Sequence, residues 1–247
     1  MDLGLKGKTV LITGGSKGIG LACAMSFAAE GCDLHLAARN RELLETVRRK
    51  IRADHGGVDV SLHALDLRDG TALHDLATAC GDSDILVNNA GDIPGGTIES
   101  LDESKWRHAW ELKVFGYINL TRELFRRMKA RKRGVIVNII GMAGENPTFE
   151  YLCGGAANAG LAAFTKGMGK GSREHGVRVL GVHPPSTRTD RILTLMKAQA
   201  KAKFGDESRY EELMGSVIEP QQVGDTVAFL ASARAGQLSG IVLNLGP

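Results

Sequence analysis

No apolar run in the 247-residue sequence is long enough to cross a bilayer, so a membrane-spanning helix is not expected. The opening stretch MDLGLKGKTVLITGG lacks the charged, then apolar, then small-residue order of a signal peptide. Its apolar part reads instead as the start of a strand. Cysteine is scarce: four residues, at 23, 32, 80 and 153, with no Cys-x-x-Cys pair. Metal-ligand spacing is therefore absent, no metal is expected, and the thiols are expected to be reduced and buried in a cytoplasmic protein. Cys153 stands apart only by its position in an unusual segment. A net charge of +3 is too small to point to nucleic acid or an anionic membrane. No internal repeat, low-complexity tract or linker divides the chain, which is expected to form one domain over residues 1–247.

What is present alternates. Short β-branched runs recur at Thr9–Ile12, Asp33–Ala37, Val58–His63, Ile85–Asn88, Val135–Ile139, Val177–Val182 and Ile241–Leu245. They are continuous rather than alternating in polarity, as strands covered on both faces are. Between them lie helical windows at Ile19–Glu30, Arg41–Asp54, Thr71–Ala79, Glu103–Arg131, Gly155–His175 and Pro220–Ala231. Strand–helix alternation predicts right-handed crossovers and an α/β fold, a single-domain doubly wound parallel sheet of about seven strands with helices on both faces. The Lys- and Ala-rich segment 188–215 breaks the rhythm and reads as a helical lid or substrate-loop insertion.

The first strand runs into Thr13-Gly14-Gly15-Ser16-Lys17-Gly18-Ile19-Gly20 and then a helix. Glycines there let the backbone turn tightly and approach a pyrophosphate, whose charge rests on the helix N-terminus. The Gly-x-x-x-Gly-x-Gly spacing resembles the short-chain dehydrogenase/reductase family, whose signature is Thr-Gly-x-x-x-Gly-x-Gly. Asp66-Leu67 after the third strand and Asn88-Asn89-Ala90-Gly91 after the fourth match that family too, and the resemblance runs from about Lys6 to Pro247. It implies a Rossmann-type fold and a nicotinamide cofactor held by Gly14, Ser16, Lys17, Gly18, Ile19, Gly20, Asp66, Leu67, Asn89, Ala90 and Gly91. The second strand ends Ala37-Ala38-Arg39-Asn40. NAD-preferring relatives carry an acid where Ala38 stands. Arg39, with Lys17 beside it, suits a 2′-phosphate, so NADP(H) is expected over NAD(H).

The resemblance also implies where catalysis should lie, and there the chain departs from the family. The serine position is Gly141, the tyrosine position Gly154, the lysine position Asn158, and the asparagine of the preceding helix Lys113. The family's Asn-Pro-Gly turn reads His183-Pro184-Pro185. Glycine has no proton to give. A partly buried Lys113 could fall toward neutral pKa and act as donor or oxyanion partner, or simply pair with a carboxylate such as Glu145. Tyr151 could reach the substrate from the loop, or be a packed aromatic. Asn158 could hydrogen-bond the nicotinamide ribose. His183 could titrate, or hold the turn. Thr189 matches the threonine that contacts the nicotinamide carboxamide in relatives.

Three functions remain open on these grounds: an NADP(H)-dependent oxidoreductase acting on a carbonyl or alcohol with a non-standard proton donor, a catalytically silent cofactor-binding scaffold, or a lyase or isomerase in the same pocket. The pocket is expected to be lined by residues 93–96, 142–151 and 188–215. The partners expected are a small-molecule substrate and further copies of the chain. Relatives form homodimers or homotetramers through the two long helices, with small residues from Gly154 to Ala163 allowing close approach.

Overall fold

A computed structural model describes residues 2–246. Seven strands form one parallel sheet in the order β3-β2-β1-β4-β5-β6-β7. They are β1 (Thr9–Thr13), β2 (Asp33–Ala38), β3 (Val60–Ala64), β4 (Ile85–Asn88), β5 (Gly134–Ile139), β6 (Val177–His183) and β7 (Val242–Asn244). The helices are α1 (Gly18–Ala29), α2 (Arg41–Asp54), α3 (Gly70–Ala79), α4 (Glu103–Trp110), α5 (Gly116–Ala130), α6 (Leu152–Ser172), α7 (Asp190–Phe204), α8 (Glu211–Met214) and α9 (Pro220–Ala231). This is the doubly wound fold that the alternation predicts. Among the described residues no helix is long and apolar enough to cross a membrane.

Both faces of the sheet are covered, which is why the strands read as unbroken apolar runs. Val10, Ile12, Leu34, Leu36, Val87 and Val137 pack on one side with Phe27 of α1 and Val223 and Val227 of α9. Leu11, Ala37, Leu86 and Ile136 pack on the other with Leu73 and Leu76 of α3 and Leu120 and Leu124 of α5. The central strands β1 and β4 carry fully buried side chains such as Val10, Leu11, Leu86 and Val87.

Sheet order reverses between β1 and β4, where the chain first winds one way and then the other. A crevice at the carboxyl ends of the strands beside such a reversal is where open α/β sheets bind ligands. The loops after β1, β4, β5 and β6 all open onto it. A buried amide–hydroxyl chain fixes this edge. Asn88 Nδ2 donates to Asn138 Oδ1 at 2.9 Å and Thr121 Oγ1 at 3.0 Å, and Asn138 Nδ2 donates to Thr165 Oγ1 at 2.9 Å. Buried networks of this kind hold strand ends in one arrangement, here with Asn88 Oδ1 left without a partner among the described residues.

The long helical window 103–131 is not one regular helix. A π-helical turn, Glu111–Phe115, separates α4 from α5. Turns of this kind are concentrated at functional sites, and this one carries Lys113. The helix expected at residues 155–175 starts earlier, at Leu152, and closes in a short 3₁₀ turn, Arg173–His175. The segment 188–215 is tied at its base, where Thr187 bridges Ile218 and Arg188 N donates to Ile218 O at 2.9 Å.

Candidate active site

The glycine loop has the backbone its residues predict. Gly14 and Gly18 have φ of +67° and +55°, a region side chains rarely adopt. A Cβ on Gly20 would fall 2.1 Å from Gly14 O, so only glycine fits where α1 meets the loop. Asn89 ties the loop after β4 to this turn: Nδ2 donates to Thr13 O at 3.0 Å, and the Asn89 and Ala90 amides both donate to Thr13 Oγ1, at 2.9 and 3.1 Å. Ser16, Lys17 and Ile19 lie in the loop and the first turn of α1, with Lys17 exposed. Thr189 caps α7, and its methyl lies 3.2 Å from where a Cβ on Gly18 would stand. Thr189 and the glycine loop are thus in contact range.

Arg39 is exposed after β2, 3.8 Å from Asp92. An exposed pair at that distance holds the guanidinium weakly. Asp66 is engaged differently. Arg68, which sequence reasoning did not single out, donates from Nε to both Asp66 oxygens, at 2.9 and 3.1 Å. Those hydrogen bonds hold the Asp66 carboxyl below its ordinary pKa. Leu67 is buried beside it.

At Gly154, the position that the resemblance gives to the family's tyrosine, the space is filled. The side chain of Tyr151 crosses the place where a side chain on Gly154 would begin: a Cβ there would be 2.0 Å from Tyr151 Cε1 and 2.2 Å from Cζ. Tyr151 is pinned from two directions. Its backbone bridges Gly96, and its hydroxyl accepts a hydrogen bond from Arg191 Nη2 at 3.4 Å. Arg191, in the first turn of α7, also donates to Gly91 O at 3.1 Å and Ile93 O at 2.6 Å. It therefore draws α7, the loop after β4 and the phenol together. Burial raises the Tyr151 pKa, and Arg191 opposes that rise.

Lys113 is buried, 8% exposed, with its stem against Gly91. Nζ donates to Ile139 O at 2.7 Å and Tyr117 Oη at 3.1 Å, and Tyr117 Oη donates to the same carbonyl at 3.0 Å. Burial, with the positive Arg191 as second cause, lowers its pKa to about 7. Lys113 does not pair with Glu145 as expected: among the described residues it makes no ion pair, and Glu145 lies instead 3.4 Å from His183 Nε2. His183 is fully buried, and burial lowers its pKa. Its ring nitrogens make no aligned hydrogen bond.

Asn158 is 4% exposed, and its Oδ1 is buried without a hydrogen-bond partner. An orphaned acceptor of this kind awaits a donor. Its Nδ2 lies 3.0 Å from where a Cβ on Gly141 would stand, and Gly141 has φ +132°. A serine at position 141 would therefore need a backbone change as well as a side-chain change. Cys153 is fully buried in the cluster that includes Trp110, whose Nε1 donates to Cys153 O at 3.2 Å. Burial raises its thiol pKa, which makes it unreactive.

Residues 8–200 match the model of the short chain dehydrogenase family. The chain belongs to that family. A similar protein is the uncharacterized oxidoreductase YvrD of Bacillus subtilis, 31% identical, with 97% of this chain and 95% of that protein covered. Among solved structures, L-sorbose reductase from Gluconobacter frateurii, complexed with NADPH and L-sorbose, superposes with a TM-score of 0.92 at 29% identity, covering 99% of this chain and 97% of that one. A 7α-hydroxysteroid dehydrogenase complexed with NADH and 7-oxo glycochenodeoxycholic acid superposes with a TM-score of 0.84 at 26% identity, over 99% and 94% of the two chains.

Proposed function

We propose that the protein is an NADP(H)-dependent reductase of a small carbonyl compound, with Tyr151 in place of the family's tyrosine as proton donor. The observation that carries this reading is the overlap of the Tyr151 ring with the space of a side chain on Gly154. The phenol reaches the crevice from a different place in the sequence.

The residues present fit the cofactor. Gly14, Gly18 and Gly20 leave room where a Cβ would intrude, Asn158 Oδ1 is an unclaimed buried acceptor, and Thr189 borders the loop. Gly14, Ser16, Gly18, Ile19 and Gly20 would take the pyrophosphate. Asp66, Leu67, Asn89, Ala90 and Gly91 would border the adenosine and central part, and Asn158 and Thr189 the nicotinamide half. Ala38, an exposed Arg39 and Lys17 support preference for the 2′-phosphate form. The NADPH complex of L-sorbose reductase supports the same preference, while the NADH complex of the steroid dehydrogenase shows that family membership alone does not fix it. Bound there, NADPH supplies the hydride.

The chain supplies the rest. Tyr151 Oη holds the proton that passes to the carbonyl oxygen as that oxygen gains charge. Its raised pKa keeps it protonated at neutral pH, which suits reduction. Arg191 then stabilises the phenolate through the hydrogen bond already in place. Lys113 lies too deep to transfer the proton without breaking two hydrogen bonds. Its role is electrostatic, and it orders Ile139 at the entrance to Gly141. The exposed small residues Ala156, Ala159, Gly160 and Ala163 on α6 support assembly as a homodimer or homotetramer.

NADPH oxidation followed across a panel of ketoses, small ketones and cyclic ketones tests the proposal. Turnover with at least one class, faster with NADPH than NADH, is expected. Tight cofactor binding without turnover on any of them would favour the silent-scaffold reading instead.

A further inference from the structure

Away from this crevice, three side chains from separate elements converge at the β3 edge of the sheet. Successive strand residues face opposite sides, so His35 shares a face with Ala37, and His63 of β3 lies on that same face. Cys80, which ends α3, closes over the pair. His35 Nδ1 is 3.0 Å from His63 Nε2, and Cys80 Sγ is 3.5 Å from that same Nε2. All three atoms lie within 4.8 Å of one another.

A hydrogen-bonded imidazole pair accounts for only part of this. An imidazole nitrogen offers either one N–H or one lone pair. His63 Nε2 therefore cannot satisfy both His35 and Cys80. A cation between them would use one lone pair from each atom. We propose that His35, His63 and Cys80 form a binding site for a single zinc-class divalent cation.

The spacing fits. Tetrahedral zinc, with Zn–N of about 2.0–2.1 Å and Zn–S of about 2.3 Å, sets its nitrogen ligands about 3.3 Å apart and a nitrogen and a sulfur about 3.6 Å apart. The two separations from His63 Nε2, 3.0 Å to His35 Nδ1 and 3.5 Å to Cys80 Sγ, differ from these by a few tenths of an ångström, and the third, within 4.8 Å, closes on metal binding by side-chain rotation. Two imidazoles and a thiolate select zinc, cobalt or copper over magnesium or calcium. On binding, the Cys80 S–H bond breaks, its proton leaves to solvent, and sulfur gives its electron pair to the metal. No fourth His, Cys, Asp or Glu joins the cluster among the described residues, so water takes the fourth position. Both histidines are only partly buried, which leaves a way in. The ligands span residues 35 to 80 with no local motif, so the fold alone assembles the site.

The test uses the full, tag-free chain after chelation and dialysis. Zn²⁺ is titrated by calorimetry, and Co²⁺ serves as a spectroscopic substitute. The expected result is one equivalent bound, a thiolate-to-cobalt charge-transfer absorption, and a melting temperature raised by Zn²⁺. Cys80→Ser and His63→Gln, checked for folding by circular dichroism, should lose the absorption or weaken Zn²⁺ binding at least about tenfold. Absence of stoichiometric binding to the wild-type chain would overturn the proposal without recourse to any variant. So would a charge-transfer band that persists in Cys80→Ser, which would assign the metal to another cysteine.

Discussion

The ring of Tyr151 occupies the space into which a side chain on Gly154 would grow, 2.0 Å from the position of its Cβ. The two positions are coupled: the glycine is what lets the phenol lie there. Alanine replacing glycine inside a helix normally stabilises by about 0.5–1 kcal/mol. Here the opposite sign is expected. Gly154→Ala should destabilise by about 1–3 kcal/mol through overpacking, and Tyr151→Ala should relieve that loss in the double variant. Thermal denaturation of the four proteins in the cycle measures the coupling, which is independent of any substrate.

Gly141 stands at the position that the resemblance gives to the family's serine. At φ +132°, with Asn158 Nδ2 3.0 Å from a Cβ, Gly141→Ser should cost about 1–3 kcal/mol in stability and should not raise activity. Gain of turnover in Gly141→Ser would show that the backbone accommodates the family's residue after all.

Lys113 carries a pH signature. Its pKa falls from 10.5 to about 7 in the folded chain, chiefly by burial. Below about pH 7 both folded and unfolded chains carry the proton, and folding bears the full penalty of burying it. Between about 7 and 10.5 the unfolded chain holds more protons, so stability rises with pH through that window. The slope is at most about 1.4 kcal/mol per pH unit. Lys113→Met keeps the Tyr117 hydrogen bond to Ile139 and should remove the slope. Urea unfolding at pH 7 and pH 9 checks the difference between the two proteins.

Arg39→Ala should weaken NADPH binding about 10- to 100-fold, the loss of a charged hydrogen-bonded pair, with NADH affected little. Fluorescence titration with both cofactors reads this directly. Equal affinity of the wild-type chain for the two would contradict the assignment of Arg39 to the 2′-phosphate.

Much of the fold is legible in the sequence because the sheet is covered on both faces. The β-branched runs leave few other assignments, and the bounds of β4, α2 and α9 coincide with the expected ones. The π-helical turn at Glu111–Phe115 is not legible, since its sequence, ELKVF, holds no proline or glycine to mark a break in the helix. The geometry of the site is less legible still. Tyr151 stands out in the sequence only as an aromatic near a glycine pair, and the sequence does not say that its ring turns back over Gly154. Arg191 is hidden among the charges of the insertion, although its place just after Thr189-Asp190, at the first turn of a helix, is a signal in hindsight. Glu145 is drawn to His183 rather than to Lys113 because the turn after β5 ends beside β6, a tertiary fact with no local trace.

The proton donor is the centre of the account, and Tyr151→Phe tests it most directly. The variant keeps the ring over Gly154 and loses only the hydroxyl held by Arg191. With a substrate from the carbonyl panel, kcat should fall about 100-fold or more while NADPH affinity stays within about twofold. Unchanged kcat in Tyr151→Phe would contradict it.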